Sequence, residues 1–186
     1  MKPSARTITI VCGPDGAGKS VYAEALARET DAVLIHNGPM SGTGDQLARI
    51  YADELMPAVR GDASVILDRA WPSEKIYGSV FRGGKNRISS DNLRVLEDLA
   101  RRVPCVIVVC LPPLERCLES YRARKGVEYL ENESQLIDVY HQYEVLTSAI
   151  PILRYNYTMK VFPKLPVDPL CIQSTLSIAD VFRRLP

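Results

Sequence analysis

Apolar and polar positions along this chain switch repeatedly between two periods. Residues 6–12 form a β-rich apolar run that ends in glycines, and residues 19–29 then carry Val21, Ala25 and Leu26 at helical spacing. Residues 32–35 predict a second short strand. Residues 42–60 predict a helix with Leu47, Ile50, Tyr51, Leu55 and Val59 on one face. Residues 64–67 read as a third strand, 73–80 as a short helix, and 82–87 as a glycine-bearing basic loop. A further helix is predicted over 91–102, with Ser90 or Asp91 as its N-cap. The most apolar run, 103–111, predicts a strand buried on both faces. After Pro112 and Pro113 come a helix to about Ala123, a charged connection, a helix over 133–147 and a strand over 152–155. Residues 163–169 look like a surface connection, and 177–185 a terminal helix with Ile178, Val181, Phe182 and Leu185 apolar. Strands that alternate with helices imply an α/β fold, here a five-stranded parallel sheet flanked by helices in one domain over 1–186.

Composition narrows the function classes. Of the 186 residues 46% are hydrophobic and 24% charged, enough for a core and too apolar for disorder. The formal charge of +1 gives no global pull towards nucleic acid or membrane, so any polyanion site must be local. No apolar stretch approaches the roughly 20 residues of a membrane span, and residues 1–12 do not read as a signal peptide. Five cysteines, with Cys12, Cys105 and Cys110 inside apolar runs, fit a reduced cytoplasm. His36 and His141 are the only histidines and no C-x-x-C occurs, which argues against a zinc site.

The strongest chemical signal is Gly13-Pro14-Asp15-Gly16-Ala17-Gly18-Lys19-Ser20, which satisfies G-x-x-x-x-G-K-[ST] between a predicted strand and a predicted helix. Glycines let successive backbone amides converge on phosphate oxygens, Lys19 reaches the β/γ-phosphates, and Ser20 offers a hydroxyl to Mg²⁺. A second signal is Val65-Ile66-Leu67-Asp68-Arg69, a strand ending in a carboxylate beside a guanidinium. Asp68 is placed to hold the metal or orient an acceptor hydroxyl, and Arg69 to neutralise phosphate. A third is the basic group Arg116, Arg122, Arg124 and Lys125, of which Arg122 and Arg124 are the candidate contacts to a transferring phosphate. Trp71 and Phe81 flank the segment that follows Asp68-Arg69 and are candidates to stack on a base, whereas Tyr129, Tyr140 and Tyr143 fit half-buried core. No N-K-x-D tetrapeptide occurs, which argues against a guanine-reading switch, and no separate basic domain is present for a DNA loader.

The loop, followed by Asp68-Arg69-Ala70-Trp71-Pro72-Ser73-Glu74-Lys75-Ile76-Tyr77-Gly78, resembles thymidylate kinase, which carries the same Asp-Gly-Ala-Gly-Lys and ends its third strand in Asp-Arg-Tyr followed by a Ser and a Tyr. The resemblance implies a P-loop NTPase fold of the nucleoside monophosphate kinase type, a short arginine-bearing lid at about 122–132, and ATP with Mg²⁺ as cofactors. It also implies that Gly13, Asp15, Gly16, Ala17, Gly18 and Arg116 contact ATP, that Asp15 also faces the acceptor sugar, and that Ser73 and Tyr77 line the acceptor pocket. One departure stands out: where thymidylate kinases carry Arg-Glu-Pro-Gly-Gly-Thr, this chain has Asn37-Gly38-Pro39-Met40-Ser41-Gly42-Thr43 and so lacks the arginine that holds the acceptor's monophosphate. His36 and Asn37 are then candidates for a different acceptor. Residues 73–84 are also similar to phage-encoded 5-hydroxymethyluracil DNA kinases. That likeness implies the 5-hydroxymethyl group of a base in DNA as preferred acceptor, Arg82 and its loop on the DNA backbone, and the host cytoplasm as location. The alternative is free dTMP or a dUMP analogue. A homodimer is compatible with either.

Overall fold

The computed structural model describes residues 6–124 and 130–159, and the backbone of two further strands, 164–168 and 171–177. Five strands, β1 (Ile8–Cys12), β2 (Val33–His36), β3 (Val65–Asp68), β4 (Cys105–Cys110) and β5 (Ile152–Tyr155), form one sheet in the order β2-β3-β1-β4-β5. Every pairing is parallel, as the alternation of strands and helices requires. The register sets His36 beside Asp68 and Val11 beside Asp68, so the C-terminal ends of β1, β2 and β3 open at one edge. A ligand site is expected at that edge in an open parallel sheet.

The helices are α1 (Lys19–Thr30), α2 (Gly44–Val59), α3 (Trp71–Phe81), α4 (Ser90–Ala100), α5 (Leu114–Ala123) and α6 (Glu133–Glu144). Helix α1 buries Lys19, Tyr22, Ala23 and Leu26, spaced for one face. Val21, expected on that face, falls between these positions and is 72% exposed. In α2 the stripe is Leu47, Tyr51, Leu55 and Ala58, while Ile50 turns outward. Thr43 opens α2 with a capping box: its hydroxyl accepts from Gln46 N and the Gln46 side chain accepts from Thr43 N. Ser89, one residue before the expected cap, receives the Asn92 amide at the start of α4. The core is continuous from β1 and β3 through β4 to α6, and includes Tyr140 and Tyr143 as expected.

Two expectations at the C-terminal end change. Lys164–Asp168 (β6) is a strand antiparallel to Cys171–Ser177 (β7), not a connection, and Ser177 therefore ends a strand instead of opening a helix. The rest of the expected helix, 178–185, lies outside the described residues, as do Lys125 and Tyr129.

The loop between α3 and α4 is fixed by packing. A Cβ on Gly44 would stand 1.9 Å from the Arg87 carbonyl oxygen, and one on Gly78 would stand 2.6 Å from that of Lys85. Substitution Gly44→Ala therefore forces backbone apart even though alanine is the better helix former. It is expected to cost about 1–3 kcal/mol by overpacking, measured by urea unfolding. Gly38→Ala, into open space, serves as the control and should stay near zero.

Candidate active site: a P-loop facing an arginine-lined cleft

Between β1 and α1 the chain reverses through Gly13, Gly16 and Gly18, all with positive φ. A Cβ on Gly13 would lie 2.3 Å from the Cys110 carbonyl oxygen, and one on Gly16 2.8 Å from Ser120 Cβ, so the loop is pressed onto β4 and α5. Ala17 is buried beneath it. Gly18 caps α1 with no side-chain hydrogen bond, and among the described residues the first amides of the helix, including those of Lys19 and Ser20, have no side-chain partner. Such a terminus suits an anion. A ring carbon of Tyr157, in a short 3₁₀ turn after β5, would lie 3.4 Å from a Cβ on Gly18.

Lys19 is only 6% exposed. Its Nζ donates to the Pro14 carbonyl oxygen at 2.7 Å and stands 3.6 Å from Asp15 Oδ1. Burial pulls its pKa below the ordinary lysine value, and the Asp15 charge opposes that shift. Asp15, 4% exposed, also accepts from Arg69 Nη2 at 3.0 Å and from the Tyr77 hydroxyl at 2.9 Å. Burial and then the Asp15 charge hold the Tyr77 phenol well above its usual range. The expected sugar-facing Asp15 is thus the junction of three side chains. One layer deeper, the Tyr143 hydroxyl donates to Ser73 Oγ at 3.0 Å, which fixes Ser73 at the first turn of α3.

Arg69 follows β3 with φ 75°, a left-handed backbone that a non-glycine residue adopts at a cost. Two bonds hold it there: Arg69 N donates to the Val11 carbonyl at 2.8 Å, and Asn37 Nδ2 donates to the Arg69 carbonyl at 2.9 Å. The same Asn37 Nδ2 donates to Glu54 Oε2 at 3.0 Å. Asn37, a candidate acceptor contact in the sequence, is buried and spends its amide on this scaffold. Glu54 was not singled out by the sequence, although it stands one heptad from Leu47 on the buried stripe of α2. Burial raises its carboxyl pKa, against the Asn37 bond.

Asp68 is buried, with Oδ2 2.6 Å from His36 Nδ1. Its Oδ1 is buried without a hydrogen-bond partner among the described residues. An orphaned carboxylate oxygen beside the P-loop fits a hard cation or its bound water. No cluster of three or more His, Cys, Asp or Glu occurs among the described residues. Mg²⁺ takes one or two protein oxygens and completes its shell with water and phosphate; Ser20 and the unpartnered Asp68 Oδ1 would supply the protein side.

Across from the P-loop lies a cleft walled by Gly38–Met40, by Arg69, Ser73 and Tyr77, and by Glu74, Arg82 and Arg87. Arg87 Nε and Nη2 donate to the two oxygens of Glu74 at 2.9 and 2.6 Å, and its Nη1 donates to the Met40 carbonyl at 2.9 Å. Arg82 Nη2 donates to the Glu74 carbonyl at 3.0 Å and to Oε2 at 3.2 Å. Phe81 is half-buried and stacks on Tyr77 with ring centroids 5.7 Å apart. Trp71 corrects the expectation of a base-stacking ring: it is 2% exposed and packs edge-on against Tyr51 in the core.

The arginines of α5 are engaged elsewhere. Arg116 pairs with Glu119 one turn on, and Arg122 makes a bidentate pair with Glu133 of α6 at 2.7 Å for both bonds. Glu133 holds the Arg122 guanidinium above its usual pKa through that hydrogen bond and its charge. Arg124 is exposed at the end of α5.

A family profile described as an AAA domain matches residues 8–144. No curated protein sequence matches the chain significantly. Among solved structures, the YorR protein of Bacillus subtilis in complex with phosphorylated GDP is similar at TM-score 0.64 and 22% identity, over 82% of this chain and 86% of that one. Deoxyadenosine kinase from M. mycoides with bound dCTP is similar at TM-score 0.52 and 13% identity, over 82% and 91%. A sugar kinase from Janibacter sp. is similar at TM-score 0.52 and 16% identity, over 82% and 86%. At these identities the neighbours speak for the fold, which is that of the P-loop kinases and is coarser than the thymidylate kinase resemblance. With a profile match that spans most of its length and starts on the strand leading into the P-loop, the chain belongs to the AAA domain family.

Proposed function

We propose that the protein is an ATP- and Mg²⁺-dependent kinase that transfers the γ-phosphate to a pyrimidine deoxynucleotide. The observation that carries this reading is the Asp15 carboxylate, which binds Lys19 of the P-loop on one side and Arg69 and Tyr77 of the cleft on the other. Donor and acceptor sites therefore share a wall, the arrangement that direct transfer needs. In the proposed mechanism the α1 amides and Lys19 hold the β/γ-phosphates, and Lys19 leaves the Pro14 carbonyl for phosphate oxygen. Ser20 and Asp68 would hold Mg²⁺, which would supply neutralising charge. Arg69 faces the transferring group, and Arg122 and Arg124 join it once Arg122 exchanges Glu133 for phosphate oxygen.

Two acceptor forms follow from the resemblance: 5-hydroxymethyluracil in DNA, and a free nucleotide such as dTMP or a dUMP analogue. A DNA-backbone contact would want Arg82 and Arg87 facing outward. Both instead turn onto Glu74 in the cleft, which favours the free nucleotide. Among the described residues no helix is long and apolar enough to cross a membrane.

Transfer of label from γ-labelled ATP to dTMP, dUMP, 5-hydroxymethyl-dUMP and DNA carrying 5-hydroxymethyluracil tests the proposal, and label on none of them overturns it. Lys19→Ala should reduce transfer at least about a hundredfold with the fold retained by circular dichroism; near-normal transfer by this variant would remove the P-loop from the mechanism. Asn37→Ala leaves Glu54 and the Arg69 carbonyl short of a donor. It should cost about 1–3 kcal/mol in stability and slow transfer while ATP affinity, read by equilibrium dialysis, stays within about twofold. Equal loss of both would show that Asn37 serves the whole fold and not the placement of Arg69.

A further inference from the structure

The thymidylate kinase resemblance would put an arginine for an acceptor phosphate after β2, where this chain carries Asn37 to Thr43. The cleft supplies cationic groups from another direction. Arg87, from the loop between α3 and α4, reaches back to the Met40 carbonyl, in the segment after β2 where that arginine is missing. Arg82 stands beside it, and Glu74 bridges the two guanidiniums.

We propose that Arg82 and Arg87, bridged by Glu74, form an anion subsite that holds a phosphate the acceptor already carries. The inference rests on the kinase reading and adds the feature of the acceptor that the cleft recognises. Two guanidiniums share one carboxylate, so the cluster keeps one positive charge, and Arg69 lines the same cleft. The Arg82 and Arg87 side chains remain 26% and 24% exposed while lining the cleft, whereas a brace serving only the loop would not need to face it. Arg82 Nη1 and Arg69 Nε and Nη1 donate to none of the described residues, so hydrogen-bond capacity is left for a ligand. The loop is also held before any ligand arrives: its carbonyls pack on Gly44 and Gly78, Ile88 is buried, and Asn86 Oδ1 accepts from Ile88 N. A guanidinium already fixed in place gives up little side-chain freedom on binding.

The phosphate has two possible sources, the monoester of a free nucleotide and the diester of a DNA strand, and the inward turn of both arginines favours the monoester. The test compares matched acceptors at saturating Mg-ATP: dTMP against thymidine, dUMP against deoxyuridine, and duplex DNA with 5-hydroxymethyluracil. The expected result is at least a hundredfold preference in kcat/KM for monophosphate over nucleoside. Arg82→Gln and Arg87→Gln should each raise the monophosphate KM at least tenfold, leave the ATP KM within twofold, and shrink the preference; Arg82→Lys should recover part of it. Equal use of nucleoside and monophosphate by the unaltered protein, or equal losses on both in the variants, overturns the proposal. Label on DNA that falls in both glutamine variants and loses part of its salt dependence supports the subsite with the diester as source, and label on DNA indifferent to them overturns it. Calorimetry with inorganic phosphate, on protein whose P-loop is filled by a non-hydrolysable Mg-ATP analogue, decides the subsite even if no acceptor is labelled. Binding that weakens tenfold in the variants supports it although the kinase reading fails, and no binding or unchanged binding overturns it. Melting curves of the variants exclude loss of fold as the cause.

Discussion

A single buried carboxylate organises the site. Asp15 sits at the tip of the loop between β1 and α1, accepts from Arg69 and Tyr77, and lies 3.6 Å from the Lys19 ammonium. A carboxylate removed from water is costly unless nearly all its acceptor capacity is used. Here the capacity is used by residues from three separate elements, so satisfying Asp15 also fixes the spacing between the phosphate loop, the end of β3 and the first turns of α3. Sheet order supplies the rest: β1 and β3 are neighbours, and their parallel pairing brings both C-terminal ends to the same edge.

Arg69 shows what that convergence requires of the backbone. A left-handed φ at an arginine would relax if nothing opposed it, yet its amide and its carbonyl are both tied, one to Val11 and the other to Asn37. Asn37 is in turn anchored to Glu54 on α2. The strain at Arg69 is thus carried by a chain of hydrogen bonds running from the edge strand β2 to a covering helix. Strain of this kind persists only where surrounding structure over-determines it, and at this position it directs the guanidinium to Asp15.

The parts of this architecture that depend on local pattern were legible in the sequence. The strand–loop–helix of the P-loop, the parallel sheet and β5 at 152–155 follow from short apolar runs and helical spacing, signals that need no long-range information. Helix faces were less secure: Val21 and Ile50 are apolar yet exposed, because the true stripes are set by the packing of Tyr22 and Tyr51, whose rings reach further than aliphatic side chains. At the site, Lys19, Asp68 and Arg69 follow from motif chemistry, and Asp15, Ser73 and Tyr77 from the thymidylate kinase resemblance. Glu54 and Glu74 follow from neither, since a carboxylate that pairs across 17 positions with Asn37 or 13 with Arg87 leaves no local signature. Trp71 misled for a related reason: its neighbourhood in sequence is the acceptor segment, while its ring points into the core.

The balance of charge across the molecule conceals a local imbalance. The chain as a whole is nearly neutral, and the usual inference from neutrality is indifference to polyanions. Within the site, however, Asp15 faces both Lys19 and Arg69, and Glu74 faces both Arg82 and Arg87. Each carboxylate lowers the repulsion between two cations and holds them in position, yet each group of three retains net positive charge. Burial makes that residue of charge effective, because water and salt screen it less than they would on an open surface. A phosphate group entering either group of side chains meets cations already positioned by a carboxylate. On the proposed reading the two carboxylates therefore serve as templates for anion sites, so that a nearly neutral chain presents two fixed local concentrations of positive charge.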